Sequence, residues 1–319
     1  MKASIPMPEE LPEHNILRTT LAFIGGALII AGGAFLLWGV LSQSLSRVAS
    51  NSSSIPSLLP ANPFDGTLKG EEDGRVNILI LGISGTGYIS GELTDSIIVA
   101  SLAPQQGDAH LIGLPRDLWV RTPDASFTKI NELYGLAGGT DIPDAGKTDL
   151  MRAKAEEITG LPIHYAVVAD LDATSAVVEI IGGLTLEGTF YDAQSVTMYV
   201  RDRSTAGGDF DRMRRQQHVI VGIMESLRES DPATLIELYG VLSEHISTSA
   251  NLTELLRFFE VGRSLNADTV TFNVITPQTN GLLKSQYRDV AGRNIYTIEP
   301  TAGLTDYSAI HAYILTILE

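Results

Sequence analysis

The 319-residue chain contains no cysteine. Disulfides, thiolate catalysis and cysteine-ligated zinc are therefore excluded. Its six histidines form no HExxH or HxH pair, so a histidine-built metal site has no support. Positive charge is scarce as well. Lys and Arg number 22 against 38 Asp and Glu, a formal charge of −16, and the pI is near 4.7. Nucleic acid needs a broad basic face, so no nucleic-acid partner is expected. Any anion binding must be local. Charged residues make up only 19% of the chain, against a usual share of about a quarter.

Part of that deficit lies in one apolar run. Residues 19–41 carry no charge over 23 positions. That length suits a membrane-spanning helix, which needs about 20 residues. So long an uncharged run is rare inside a soluble domain. A cleaved signal peptide has a shorter apolar region, about 7–15 residues, although the small residues of "SQSLSRVASNS" would serve a cleavage site. The preferred reading is an uncleaved transmembrane signal anchor over 19–41. Lys2, Arg18 and the N-terminal amine precede it, in a tail at 1–18. The positive-inside rule then leans toward a single pass through the cell membrane, a cytoplasmic N-terminus and an exported body. Residues 42–74 are rich in Ser, Asn, Pro and Gly and read as a flexible linker. The folded domain is expected over 75–319.

Within that body, β-branched apolar runs predict strands at 75–82, 94–104, 109–115, 164–171 and 268–277. Helices are predicted at 172–183, 209–230, near 232–244, 251–265 and at 308–318. Interleaved strands and helices imply an α/β domain with a central sheet covered on both faces.

Four stretches carry candidate chemistry. "GISGTG" after the first strand lacks the G-K-[ST] of a Walker loop; a mobile turn has at least as much support as a phosphate cradle. Asp95 opens the second strand and is either a turn former or a Mg²⁺ ligand. Arg116 and Asp117 follow the third strand, in "LPRDLWV". The most unusual stretch is "YVRDRSTAGGDFDRMRRQQ", residues 199–217, which gathers five arginines in an acidic chain. If "MYVRDR" is extended, side-chain alternation puts Tyr199, Arg201 and Arg203 on one face, as a two-arginine clamp. If it ends a helix, the two arginines diverge. On the following helix Arg212 and Gln216 share a face, near an N-terminus that favours phosphate. Arginine suits bidentate phosphate recognition, so the stretch reads as one wall of a pyrophosphate site. Arg214 and Arg215 are left to solvent or structural pairing.

Six pieces then fall in a familiar order: "NILILG" (77–82), "LTDSIIVASLAP" (93–104), "LIGLPRDLWV" (111–120), "KINELYGLAGG" (129–139), "GLPIHYAVVADLDATSAVVEIIGGL" (160–184) and "YVRDR…DFDRMRRQQ" (199–217). On these the chain resembles the LytR–CpsA–Psr family of cell-envelope proteins. The resemblance implies a three-layer α/β/α sandwich with a central mixed sheet and a hydrophobic lipid pocket, behind one N-terminal transmembrane helix. It implies an extracytoplasmic phosphotransferase that moves a glycopolymer from a polyprenyl-pyrophosphate carrier onto peptidoglycan or another acceptor. By motif match the metal-site aspartate falls on Asp95, for Mg²⁺ or Mn²⁺. The pyrophosphate-binding residues fall on Arg116, Arg201, Arg203, Arg212 and Gln216. Asp209 is the acid of the last motif, and either Asp95 or Asp209 would take the acceptor's proton or serve the metal. Two positions depart from the pattern: Ile83-Ser84 where the family commonly has an aspartate, and Leu93 where it commonly has an arginine. A pyrophosphatase or a non-catalytic polyprenyl-phosphate module would need the same clamp, so both stay open beside the transferase.

Overall fold

A computed structural model describes residues 66–84, 92–136, 144–186, 188–202, 245–251 and 270–319, with single positions 215, 219, 226, 253, 254, 257, 258 and 261. The expected anchor and most of the linker lie outside these residues. In chain order the elements are β1 (Val76–Ile83), β2 (Thr94–Ala103), β3 (Asp108–Gly113), β4 (Trp119–Arg121) and β5 (Phe127–Lys129). A 3-10 turn (Ile130–Glu132) leads into α1 (Leu133–Leu136), followed by α2 (Asp144–Thr159), β6 (Tyr165–Asp170) and α3 (Leu171–Ile180). Then come β7 (Leu184–Leu186), β8 (Thr189–Tyr191), α4 (Ala193–Arg201), β9 (Ile246–Thr248) and β10 (Val270–Val274). The chain closes with β11 (Leu283–Val290), β12 (Arg293–Pro300) and α5 (Ser308–Leu318).

Among the described residues six strands form one sheet, in the order β10-β3-β2-β1-β6-β9. The sheet is mixed: β1 runs parallel to β6 and β3 to β10, while β1–β2, β2–β3 and β6–β9 are antiparallel. Its strands are apolar on both faces, which is why they read as continuous hydrophobic runs. On one face Leu79 and Leu81 of β1 meet Ile97, Val99 and Ile112, under Met151 and Ile158 of α2 and Ile310 and Ile314 of α5. On the other, Ile78 and Ile80 meet Ile98 and Leu111, under Leu68 and the helical residues Phe258 and Val261. Each such buried side chain contributes about 1.5–3 kcal/mol. The expected mixed α/β domain is therefore present, with helical residues over both faces of the sheet.

The packed body begins earlier than composition indicates. Residues 66–74 were expected to belong to the linker, yet Leu68 is 2% exposed. The Leu68 N–H donates to Glu71 Oε2 at 2.9 Å, and the Lys69 N–H to Tyr165 Oη at 2.8 Å. Glu71 in turn pairs with Arg257. The glycines here are structural: Gly70 has φ +80, and the His164 ring fills the space a side chain would need.

Tyr165 ties this segment to the second face. Its hydroxyl donates to Glu254 Oε1 at 2.9 Å, and its ring meets Phe258 edge-on at 4.9 Å. Tyr165→Phe keeps the ring and removes both hydrogen bonds. Urea unfolding is expected to show a loss of about 1–3 kcal/mol, the cost of leaving buried partners unsatisfied. An unchanged midpoint would show that the hydroxyl carries no net stability.

The alternating-face reading of "MYVRDR" is corrected. Met198 to Arg201 are helical, in α4. Asp192 starts that helix with a capping box, its side chain accepting from the Ser195 N–H while Ser195 reaches back to the Asp192 N–H. Val196 and Val200, four residues apart, then bury one face of α4 against Val178, Leu184 and Val219. Cap and periodicity override the β-branched composition that favours a strand. Arg201 is the last helical residue and Asp202, at φ −61 and ψ 130, turns the chain out of the helix. Arg201 therefore stands at a helix end and not on a strand face, and Arg203 lies outside the described residues.

Candidate active site

One edge of the sheet gathers the C-terminal ends of β1, β3, β6 and β10 with the starts of β2 and β9. The carboxyl ends of strands are where open α/β sheets bind ligands. At this edge the β1–β2 ladder changes step. Gly82 pairs with Ser96, but Ile83 pairs with Thr94. Asp95 is the extra residue of a β-bulge, a device that re-aims a side chain at the rim of a sheet.

The Asp95 carboxylate receives Arg116: guanidinium Nη1 donates to Oδ1. Oδ2 meets no donor among the described residues. Asp95 and Arg116, separate candidates in the sequence, are in contact in the fold. Their side chains are 25% and 22% exposed, so the pair stands at the rim and is reachable from solvent.

Backbone bonds also hold the Arg116 loop. The Leu118 N–H donates to Pro115 O at 3.0 Å, and the Asn131 N–H to Arg116 O at 3.2 Å. Asn131 also accepts from Thr94 Oγ1 at 3.4 Å, which links the loop to the bulge. The Ile298 N–H donates to Asp117 O at 2.9 Å, so the β11–β12 hairpin props the loop from below. Lys129 Nζ reaches Asp117 Oδ1 at 2.5 Å, and Asp117 Oδ2 lies 3.8 Å from Arg116 Nε. Two cations thus face two carboxylates in this cluster. An incoming pyrophosphate would need further positive charge.

The fourth stretch contributes where it is described. Arg215 donates through Nη2 to the Asp202 carbonyl and lies 4.0 Å from the Asp202 carboxylate. It caps the end of α4 and is structural, as expected for that position. Arg203, Asp209, Arg212 and Gln216 lie outside the described residues. Arg201 is placed by its backbone at the end of α4. Sequence reasoning missed Lys129 and Asn131, although both sit in "KINELYGLAGG", a motif that had no role assigned.

Asp95 fits a magnesium held mainly by phosphate oxygens. Mg²⁺ takes one or two carboxylates and leaves its other positions to water and phosphate. The uncommitted Oδ2 of Asp95 offers one hard oxygen at the rim. Among the described residues no three His, Asp or Glu side chains form a protein cage for a metal.

The profile of the LytR_cpsA_psr family matches residues 42–299. A relative in Oceanobacillus iheyensis, named polyisoprenyl-teichoic acid–peptidoglycan teichoic acid transferase TagU, is 25% identical over 273 residues, covering 77% of this chain and 82% of its own. TagU of Bacillus subtilis is 26% identical over 266 residues, covering 76% and 79%. The crystal structure of B. subtilis TagV superposes with a TM-score of 0.57 at 21% identity, over 76% of this chain and 97% of that one. The sheet, the bulged aspartate beside its arginine, and a profile that spans most of the folded body lead to one assignment: the chain belongs to the LytR_cpsA_psr family.

Proposed function

We propose that this protein is a membrane-anchored phosphotransferase that moves a glycopolymer from a polyprenyl-pyrophosphate carrier onto peptidoglycan or another cell-envelope acceptor. The observation that carries the reading is Arg116 seated on the bulged Asp95 carboxylate at the ligand-binding edge of the sheet. The names of the TagU relatives support the same chemistry.

In this reading Arg116 binds the pyrophosphate, together with Arg201, Arg203, Arg212 and Gln216. Their donors are set where negative charge builds as the phosphorus–oxygen bond breaks. Asp95 would hold Mg²⁺ or Mn²⁺, and Asp209 would either serve the metal or stand by the acceptor hydroxyl. The metal, when bound, neutralises charge on the phosphate oxygens. The acceptor's hydroxyl oxygen attacks the sugar-proximal phosphorus, and polyprenyl phosphate leaves. The anchor at 19–41 keeps the body outside the cytoplasm, at the membrane surface where a lipid carrier resides.

The test uses the full chain in detergent micelles, a polyprenyl-pyrophosphate-linked oligosaccharide, Mg²⁺ and a soluble peptidoglycan fragment. A phosphodiester-linked conjugate and free polyprenyl phosphate are expected. EDTA should stop the reaction, and Mg²⁺ or Mn²⁺ should restore it. Free phosphorylated glycan without conjugate would make the protein a hydrolase. Binding without turnover would make it a lipid-binding module. Either result overturns the transferase.

A further inference from the structure

A second charged pair lies on the same edge of the sheet. Asp170, the last residue of β6, pairs in register with Ile83 of β1, whose other partner is Thr94 of β2. Neighbouring strands lie about 4.8 Å apart, which puts Asp170 about 10 Å from the start of β2.

The Asp170 carboxylate divides its oxygens between two tasks. Oδ1 accepts the Ala173 N–H at 2.8 Å and caps α3. Oδ2 lies 3.1 Å from Nδ1 of His245, the residue before β9. Among the described residues Nε2 of that ring makes no hydrogen bond, and the side chain is 26% exposed. The cap needs only Oδ1, and a part-exposed ion pair contributes little stability. A carboxylate on Nδ1 does have a chemical effect. It holds the proton there, fixes the ring and leaves Nε2 as the basic nitrogen.

We propose that His245, oriented by Asp170, accepts the proton of the attacking acceptor hydroxyl. This rests on the phosphotransferase reading and completes its step. The acceptor oxygen bonds to the sugar-proximal phosphorus, and its proton passes to His245 Nε2. The bond from that phosphorus to the bridging oxygen breaks, and polyprenyl phosphate leaves with the electron pair. Asp95 already receives Arg116 on Oδ1, and in the phosphotransferase reading its Oδ2 would serve the metal. A groove of ≈ 330 Å³ beside β9 would admit the acceptor; its polar lining includes Thr148, the Asp149–Arg152 pair, Ser247, Thr248 and Ser249. Hydroxyl groups and a guanidinium suit a saccharide. Val168 also lines this groove, and Asp170 follows it on the same face of β6.

Asp170→Asn is the discriminating variant. Asparagine caps a helix as well as aspartate does, so α3 is kept. Its amide NH₂ then faces Nδ1, which must become the acceptor. The ring proton moves to Nε2, which can no longer take another. The expected result is a kcat about 100-fold lower, within the range general-base catalysis supplies, with KM for the lipid donor and the melting temperature unchanged. His245→Gly should lose transfer and regain it with added imidazole. Wild-type kcat in Asp170→Asn, or no imidazole rescue in a folded His245→Gly, overturns the dyad while wild-type transfer stands. Absence of transfer by the wild-type chain overturns the phosphotransferase reading, and the base with it.

Discussion

Arg116→Ala lowers the rate of glycopolymer transfer by about 10²–10³-fold, the loss typical of one preorganised donor at a developing negative charge. The variant is expected to fold normally. Its loop is held by the Asn131 N–H on Arg116 O and the Ile298 N–H on Asp117 O, and neither bond involves the guanidinium. Arg116→Lys should not restore the rate. An ammonium is a point donor and cannot engage the Asp95 carboxylate and a phosphate with a planar fork. Single-turnover assays with the lipid donor pre-bound separate this effect from weaker binding. Wild-type turnover in Arg116→Ala would reduce the Arg116–Asp95 pair to a surface contact. Arg201→Ala and Arg203→Ala, tested alongside, ask whether the rest of the proposed site acts with it.

The largest effect on stability is expected at Arg288. Its partner Glu299, on β12, is only 2% exposed. Arg288 Nη2 donates to Glu299 Oε2 at 2.9 Å, Nε donates to Oε1, and Thr297 Oγ1 donates to Oε1 at 3.1 Å. The Arg288 hydrogen bonds, working against burial and with the help of the arginine's charge, hold the Glu299 carboxyl below the usual carboxylate range. Arg288→Ala leaves that charge buried without its partner, at a cost of about 3–5 kcal/mol. The pH dependence has a definite sign. A carboxyl with a lowered folded pKa adds stability above its unfolded value, and that stability is lost as pH falls through the folded one. The gap between wild type and Arg288→Ala should therefore narrow as the pH drops below the ordinary glutamate value of 4.5. Urea unfolding at neutral and acid pH measures it, and a constant gap would remove Glu299 as the cause. The double variant Arg288→Met, Glu299→Leu should recover most of the loss, because a packed apolar pair needs no desolvated charge.

The central strands were legible because the sheet is buried on both faces. "VNILILGI" and "TDSIIVASLA" could hardly be anything else. Other elements left weaker marks. α2, "DAGKTDLMRAKAEEIT", buries Met151, Ala155 and Ile158 in a largely polar sequence, and no strong periodicity marks it. β11, "LKSQYRDV", is mostly exposed, and its pairing with β12 replaces the hydrophobic signal it lacks. α4 is ambiguous because Val196, Tyr199 and Val200 suit a strand as well as a helix, and the Asp192 cap with the four-residue spacing of Val196 and Val200 decides. In the site, Asp95 and Arg116 could each be singled out, but not their contact, which depends on a bulge of one residue. Asp170 and His245 are 75 positions apart, and no local pattern joins them.

That bulge has a consequence for motion. Ladder residues are locked by their partners, and moving one means opening the hydrogen bonds of its neighbours. Asp95 is the link that the β1–β2 pairing skips. Its backbone can adjust to a ligand bound through Arg116 while Gly82–Ser96 and Ile83–Thr94 stay closed on either side. The rim of the sheet thus combines a rigid frame with one free joint, and the joint carries the charge.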